Sequence, residues 1–340
     1  MFNEIAPHVV SCAEFMALNL GKERLEWLFA RRLFTKEGFT RALEDMVNIN
    51  QHGGDFHTKT IFGDEMKIIY THPPELKLNR LAYQSIIITP IPAWGKSREL
   101  NLIPDLIIVY SDLPMLLSTQ PKRIRICATK LDAVQDLQDI VAHLEQYASQ
   151  MEQVNSVIGF GLGSLKYDPG RDTDLESHFA RNFLQHIAAL VIWETLKKEQ
   201  NNNDIRLCVQ DPGYCISCRA YLSEEYNFFL FSDPTGFTYI DGNTFIVTKS
   251  PSIPVRIIAT DVAEPYGGPA RMLCDVIADD GMNEGDIADP SSPRCWDYKQ
   301  KSISVELDDT EAMFTYHVLR RHATVFGKIG LYLKKKELYF

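Results

Sequence analysis

"SVIGFGLGSL", residues 156 to 165, sets three glycines at alternate positions, Gly159, Gly161 and Gly163, directly behind a β-branched pair. A strand that ends this way lets the backbone turn sharply and lets a ligand approach the main-chain amides. The helix that follows can offer its N-terminal dipole to an anion. The competing reading is a tight corner between strand and helix that holds nothing. Downstream, "LESHFARNFLQHIAALVIWETLKKE" reads as helix, "IRLCVQ" as strand, "SCRAYLSEE" as helix and "NFFLFS" as strand. This alternation predicts an α/β fold: a Rossmann-like, mostly parallel sheet with flanking helices. "FTYIDGNTFIVTKS" and "VRIIATDV" extend the sheet as further strands, the first around a hairpin signal at "DGN". The acidic "DDGMNEGDIADPSSPR" has no periodicity and reads as a surface loop.

Upstream the pattern changes. The first fifty residues carry apolar positions at three and four spacing, which predicts two or three short helices. "MKIIYTH", "YQSIIITPI", "DLIIVYS" and "RIRICAT" then read as strands, and "KLDAVQDLQDIVAHLEQYASQMEQV" as a long amphipathic helix. The expected organisation is a smaller helical and β-rich N-terminal region over residues 1–128, then the α/β domain over 129–340 with its core at about 155–277.

Composition narrows the function classes. The 340 residues are 45% apolar, enough for a sizeable core, and carry a net charge of −10. An acidic chain whose basic clusters are only "PKRIR" and "LKKK" is not expected to bind nucleic acid, which needs grouped Lys and Arg. No stretch reaches the roughly 18 to 20 apolar residues of a membrane span, and the N-terminus does not resemble a secretory signal. The expected location is cytoplasmic, with the nucleus left open. Seven scattered cysteines suit free thiols better than a disulfide framework.

The glycine turn departs from the nicotinamide fingerprint. Ser164 stands where glycine or alanine is wanted, and Phe183 where an acidic residue belongs about 20 positions on. Dinucleotide binding, S-adenosylmethionine-type binding, another small ligand and a purely structural corner all remain open for Gly159, Gly161, Gly163 and Ser164. On the following helix His178, Arg181, Asn182 and Gln185 form a polar stripe with His186 beside it; the stripe lines a cleft or faces solvent. Asp211 is expected at the end of the second strand, the edge where open α/β sheets bind ligands. Asp233 and Asp261 end two more strand-like runs, so three carboxylates could meet at one rim, to bind ribose hydroxyls, a cation or a basic substrate, or to act as acid and base. Aspartate also ends strands and caps helices for structural reasons alone. Cys215 and Cys218 form a C-x-x-C with Pro254 further on, a weak redox signal against a chance pairing at a helix start, and no second pair completes a metal site. The G-K-[ST], H-E-x-x-H and G-x-S-x-G motifs are absent.

"VIGFGLGSL", "ARNFLQHIAALVIWETL", "CVQDPGY" and "DPTGFTYIDGNTFIVTKSPSIPVRIIATDVAEP", with the ending "SPRCWDYKQ … FGKIGLYLKKK", resemble in order and spacing the sensitivity-to-red-light-reduced-like (SRR-like) domain in its fungal form. The resemblance spans roughly residues 100–336. It implies a Rossmann-like small-molecule-binding or regulatory protein acting with a ligand or a protein partner, in a family linked to light, circadian, haem and stress responses. An accessory or tailoring enzyme of fungal secondary-metabolite (mycotoxin) biosynthesis is the second expectation, and a nucleotide- or S-adenosylmethionine-dependent enzyme the third. The resemblance brings no catalytic residue and no cofactor with it. "CISC" and "EPYGGPARM" depart from the family pattern.

Overall fold

The computed structural model describes residues 32, 34–52, 54–59, 65–70, 78–83, 106–110, 135–165, 174–278, 289, 291–308, 314–315, 322–323 and 326–336. Two antiparallel ribbons come first, β1 (Gly54–Lys59) with β2 (Glu65–Tyr70) and β3 (Leu78–Tyr83) with β4 (Leu106–Tyr110). The main sheet follows, built from β5 (Ser156–Phe160), β6 (Arg206–Gln210), β7 (Phe229–Leu230), β8 (Thr244–Val247), β9 (Arg271–Asp275), β10 (Ser302–Asp308) and β13 (Lys328–Lys334). Between the last two lies a third small ribbon, β11 (Phe314–Thr315) with β12 (His322–Ala323).

The seven-stranded sheet runs β10-β13-β9-β8-β5-β6-β7. Neighbours from β9 to β7 are parallel, and β13 is antiparallel to both β9 and β10. The chain enters at β5, steps outward through β6 to β7, then returns past β5 to β8 and β9. Successive crossovers therefore leave β5 in opposite directions, which opens a crevice at the carboxyl ends of β5 and β8.

Both faces of the sheet are covered because alternate side chains along each strand point opposite ways. Val157, Leu207, Val209, Phe245 and Leu273 enter one core cluster, with α2 (Gln135–Tyr147), α3 (Asp174–Gln200) and α4 (Ile216–Tyr226). Ile158, Cys208, Ile246, Met272 and Cys274 enter the other, with α1 (Lys36–His52), α5 (Val255–Val262) and α6 (Pro293–Gln300). Helix α1 belongs to the leader region in sequence, yet Phe39 stacks on Phe237 at 5.1 Å and Phe237 on Phe160 at 4.5 Å, so it is built into the sheet's core.

Three expectations are corrected. "VRIIATDV" is not a strand but α5, all eight residues buried. Its β-branched composition is overridden by placement against the core, by the Arg256 N–H donating to Asp289 Oδ1 at 2.9 Å, and by the Thr260 hydroxyl donating to the Arg256 carbonyl at 2.9 Å. Pro254 therefore precedes a helix, not a strand. "FTYIDGNTFIVTKS" is no hairpin: Thr235–Tyr239 is a 3-10 turn lying on the sheet face, and only β8 is in the sheet, paired in parallel on both sides. The Gly236 N–H donates to Gln210 Oε1 at 2.6 Å, while Asp241 accepts from the Asn243 N–H at 2.8 Å, closing a local turn. The expected surface loop ends inside the protein, where Asp289 and Ser291 are fully buried around Arg256. "YQSIIITPI" and "RIRICAT" fall almost wholly outside the described residues.

Candidate functional site

The glycine turn lies at the carboxyl end of β5. Gly161 (φ +63°) and Gly163 (φ +85°) occupy the left-handed region, where a Cβ is disfavoured. Space excludes one as well. A Cβ on Gly161 would lie 2.8 Å from Pro251 Cβ, and one on Gly163 would lie 2.4 Å from Asn182 Cγ. The turn is closed by its own chain: the Gly161 N–H donates to the Gln210 carbonyl at 3.0 Å and the Asn182 amide donates to the Ser164 carbonyl at 2.9 Å.

Asp211 follows β6 and meets this turn. Its carboxylate accepts the Gly163 N–H at 2.8 Å and the Gly213 N–H at 2.7 Å. Burial pushes the Asp211 carboxyl above its ordinary value, and the Gly213 and Gly163 amides pull it part of the way back. Two N–H bonds leave lone pairs on both oxygens, so the group can still accept from a ligand hydroxyl.

Around the turn is a cavity of about 570 Å³. It is walled by Phe160, Gly161 and Gly163 after β5, Gln210 to Pro212 after β6, Lys249 to Ile253 after β8, and Phe326 and Gly327 before β13. Helix α3 supplies Arg181, Asn182 and Gln185. Arg181, Asn182 and Gln185 of the polar stripe thus line the cleft. Arg181 Nε is sealed from water and has no hydrogen-bond partner among the described residues. On the far wall Lys249 pairs with Asp275, which also accepts the Ser250 N–H at 2.6 Å. Ser250 is held at φ +46°, a strained conformation for serine that this carboxylate fixes.

Behind the cavity His186 ties α3 to the Asp211 loop. Its Nδ1 lies 2.6 Å from the Asn182 carbonyl and its Nε2 2.7 Å from the Tyr214 hydroxyl. A carbonyl only accepts, so Nδ1 carries the proton and the Tyr214 hydroxyl donates to Nε2. Burial lowers the imidazole to about 4, against the Asn182 hydrogen bond that favours its charged form.

The sequence candidates separate accordingly. Gly161, Gly163, Arg181 and Asp211 meet at the cavity. Gly159 does not line it; it lies within β5, where a Cβ would strike Leu162 at 2.5 Å and Val209 at 3.1 Å. Ser164 is turned toward Cys218, its hydroxyl 3.5 Å from the sulfur. His178 lies in α3, but its side chain is outside the described residues. Asp261 is not at a strand end and does not reach the rim: it sits in α5, accepting the Phe34 N–H at 3.1 Å and pairing with Arg294 at 2.6 Å. Asp233 is buried and accepts the Gln210 side-chain amide at 2.9 Å. The rim of three aspartates is therefore one aspartate: Asp261 stands in a helix where a strand was expected, and Asp233, past the short strand β7, is buried against Gln210. Sequence reasoning missed the Lys249–Ile253 wall, although "TKSPS" directly follows an apolar β run. Phe326 and Gly327, brought in by the reversed β13, left no local signal.

Among the described residues no group of three His, Cys, Asp or Glu side chains could hold a metal ion, and no helix is long and apolar enough to cross a membrane. No family model matches this chain, and no curated protein or solved structure matches it significantly.

Proposed function

We propose that the cleft binds a nucleoside whose tail carries a carboxylate and no phosphate, a ligand of the S-adenosylmethionine class. The observation that carries this reading is the Asp211 carboxylate seated on the Gly163 N–H at 2.8 Å, at the mouth of the crevice. An acidic group at the end of the second strand is where such sheets bind ribose hydroxyls. The same carboxylate argues against a pyrophosphate, since it places negative charge on the turn and occupies an amide that a phosphate would need. Helix α3, moreover, begins only at Asp174, eleven residues after Gly163, so its dipole does not directly follow the turn. Arg181, Asn182 and Gln185, which line the cavity, suit a carboxylate on the ligand's other end.

Strand order supports the same reading. Numbered along the chain from β5, without the small β11–β12 ribbon, the sheet runs 3-2-1-4-5-7-6 with the seventh strand reversed. The first five follow the Rossmann order. The SRR-like resemblance is compatible with a ligand-binding role and brings no site residue of its own.

Isothermal titration with S-adenosylmethionine, S-adenosylhomocysteine, adenosine, NAD and ATP tests the proposal. The first two should bind, ahead of the phosphorylated ligands. Asp211→Ala should weaken both by roughly 10- to 100-fold, the worth of a hydrogen bond to a charged group. Arg181→Ala should weaken the two amino-acid-bearing ligands and leave adenosine unchanged. Preference for NAD or ATP, or no binding at all, would overturn the reading.

A further inference from the structure

We infer that Cys215 and Cys218 form a reversible dithiol–disulfide site, a modification site separate from the ligand cleft. The two sulfurs lie 3.1 Å apart, both as free thiols. A bond of about 2.05 Å between them requires a closure of roughly 1 Å. The backbone is already arranged for it: Cys215 is the N-cap of α4, its sulfur accepts the Cys218 N–H at 3.4 Å, and its backbone is extended at φ −74° and ψ 169°. The pair spans the first turn of the helix, so the closing sulfurs share one face.

The two thiols differ in access, which sets the order of events. Cys215 is half-buried at the helix end, whereas Cys218 is 3% exposed. Burial pushes the Cys218 thiol up, and its sulfur also touches the Ser164 hydroxyl. Cys215 is therefore the attacking group and Cys218 the resolving one. With a small-molecule disulfide as oxidant, the Cys215 thiolate attacks one sulfur, forms a mixed disulfide and expels the first thiolate. The Cys218 thiolate then attacks the Cys215 sulfur and expels the second. Two protein thiols lose two electrons and two protons, and the oxidant leaves as two thiols. The other described cysteines, Cys208, Cys274 and Cys295, are buried and lie away from this exchange.

The test is incubation of the full chain with oxidised glutathione, followed by alkylation, chymotryptic cleavage after Tyr214 and Tyr221, and mass measurement of the 215–221 fragment. This fragment holds both cysteines and no other. It should lose two hydrogens, resist alkylation and recover both thiols in dithiothreitol. Cys218→Ser should trap glutathione on Cys215, while Cys215→Ser should leave Cys218 unmodified. The proposal fails if the unsubstituted protein keeps two alkylatable thiols, if it stops at a glutathione adduct, or if Cys218 reacts first. None of these readouts depends on whether the cleft binds a nucleoside.

Discussion

Gly163→Ala tests whether the turn is held by packing as well as by backbone conformation. At φ +85° a side chain costs about 1–2 kcal/mol. The new Cβ would lie 2.4 Å from Asn182 Cγ, so Asn182 must move and surrender its 2.9 Å bond to the Ser164 carbonyl. That loss adds about 1 kcal/mol, for a total of about 2–3 kcal/mol. Asn182→Ala alone should cost about 1 kcal/mol through the same bond. In the double variant the bond is lost only once and the clash is gone. The Gly163→Ala step should then fall to the conformational cost, and the pair should couple by about 1 kcal/mol. Urea midpoints and m values for the four proteins measure this. If the single effects add to within about 0.3–0.5 kcal/mol, Asn182 does not fill the space over Gly163 and the account of the turn is wrong.

His186 should make stability depend on pH. Its folded value of about 4 lies below the ordinary 6.5, so the unfolded chain takes up the proton first as pH falls. The stabilisation present above pH 6.5 is lost on the way to pH 4, with about 2 kcal/mol gone between pH 7 and pH 5. Urea midpoints for His186→Asn should show a flatter profile over that window, and an unchanged slope would remove His186 as its source. Arg256→Met should cost about 3–5 kcal/mol, because it strands the buried Asp289 carboxylate without its partner. Lys198→Ala, which breaks only the surface pairs of an exposed lysine with Glu145 and Glu199, should leave the midpoint within error.

The sequence by itself determined the elements whose periodicity is local. Alternation of apolar strands with helices from residue 155 onward marked β5, β6, β7 and β8 of the parallel part of the sheet, while β9 went unread and a strand was expected at "VRIIATDV" in its stead. The triple-glycine signature placed its turn, because left-handed backbone with no room for a Cβ leaves its mark in composition. "CVQDPGY" put Asp211 at a strand end for the same local reason.

Tertiary structure alone decided the remainder. "VRIIATDV" is β-branched by composition and helical in fact, since burial on every side and the Asp289 contact outweigh a propensity worth tenths of a kcal/mol per residue. That outcome removed Asp261 from the rim, and the 3-10 turn at Thr235–Tyr239 removed the expected hairpin. The far wall of the cavity comes from Lys249–Ile253, and its closing edge from Phe326 and Gly327, more than 160 residues from the glycine turn. Such neighbours are set by strand order and by the reversal of β13, which no spacing within the chain encodes.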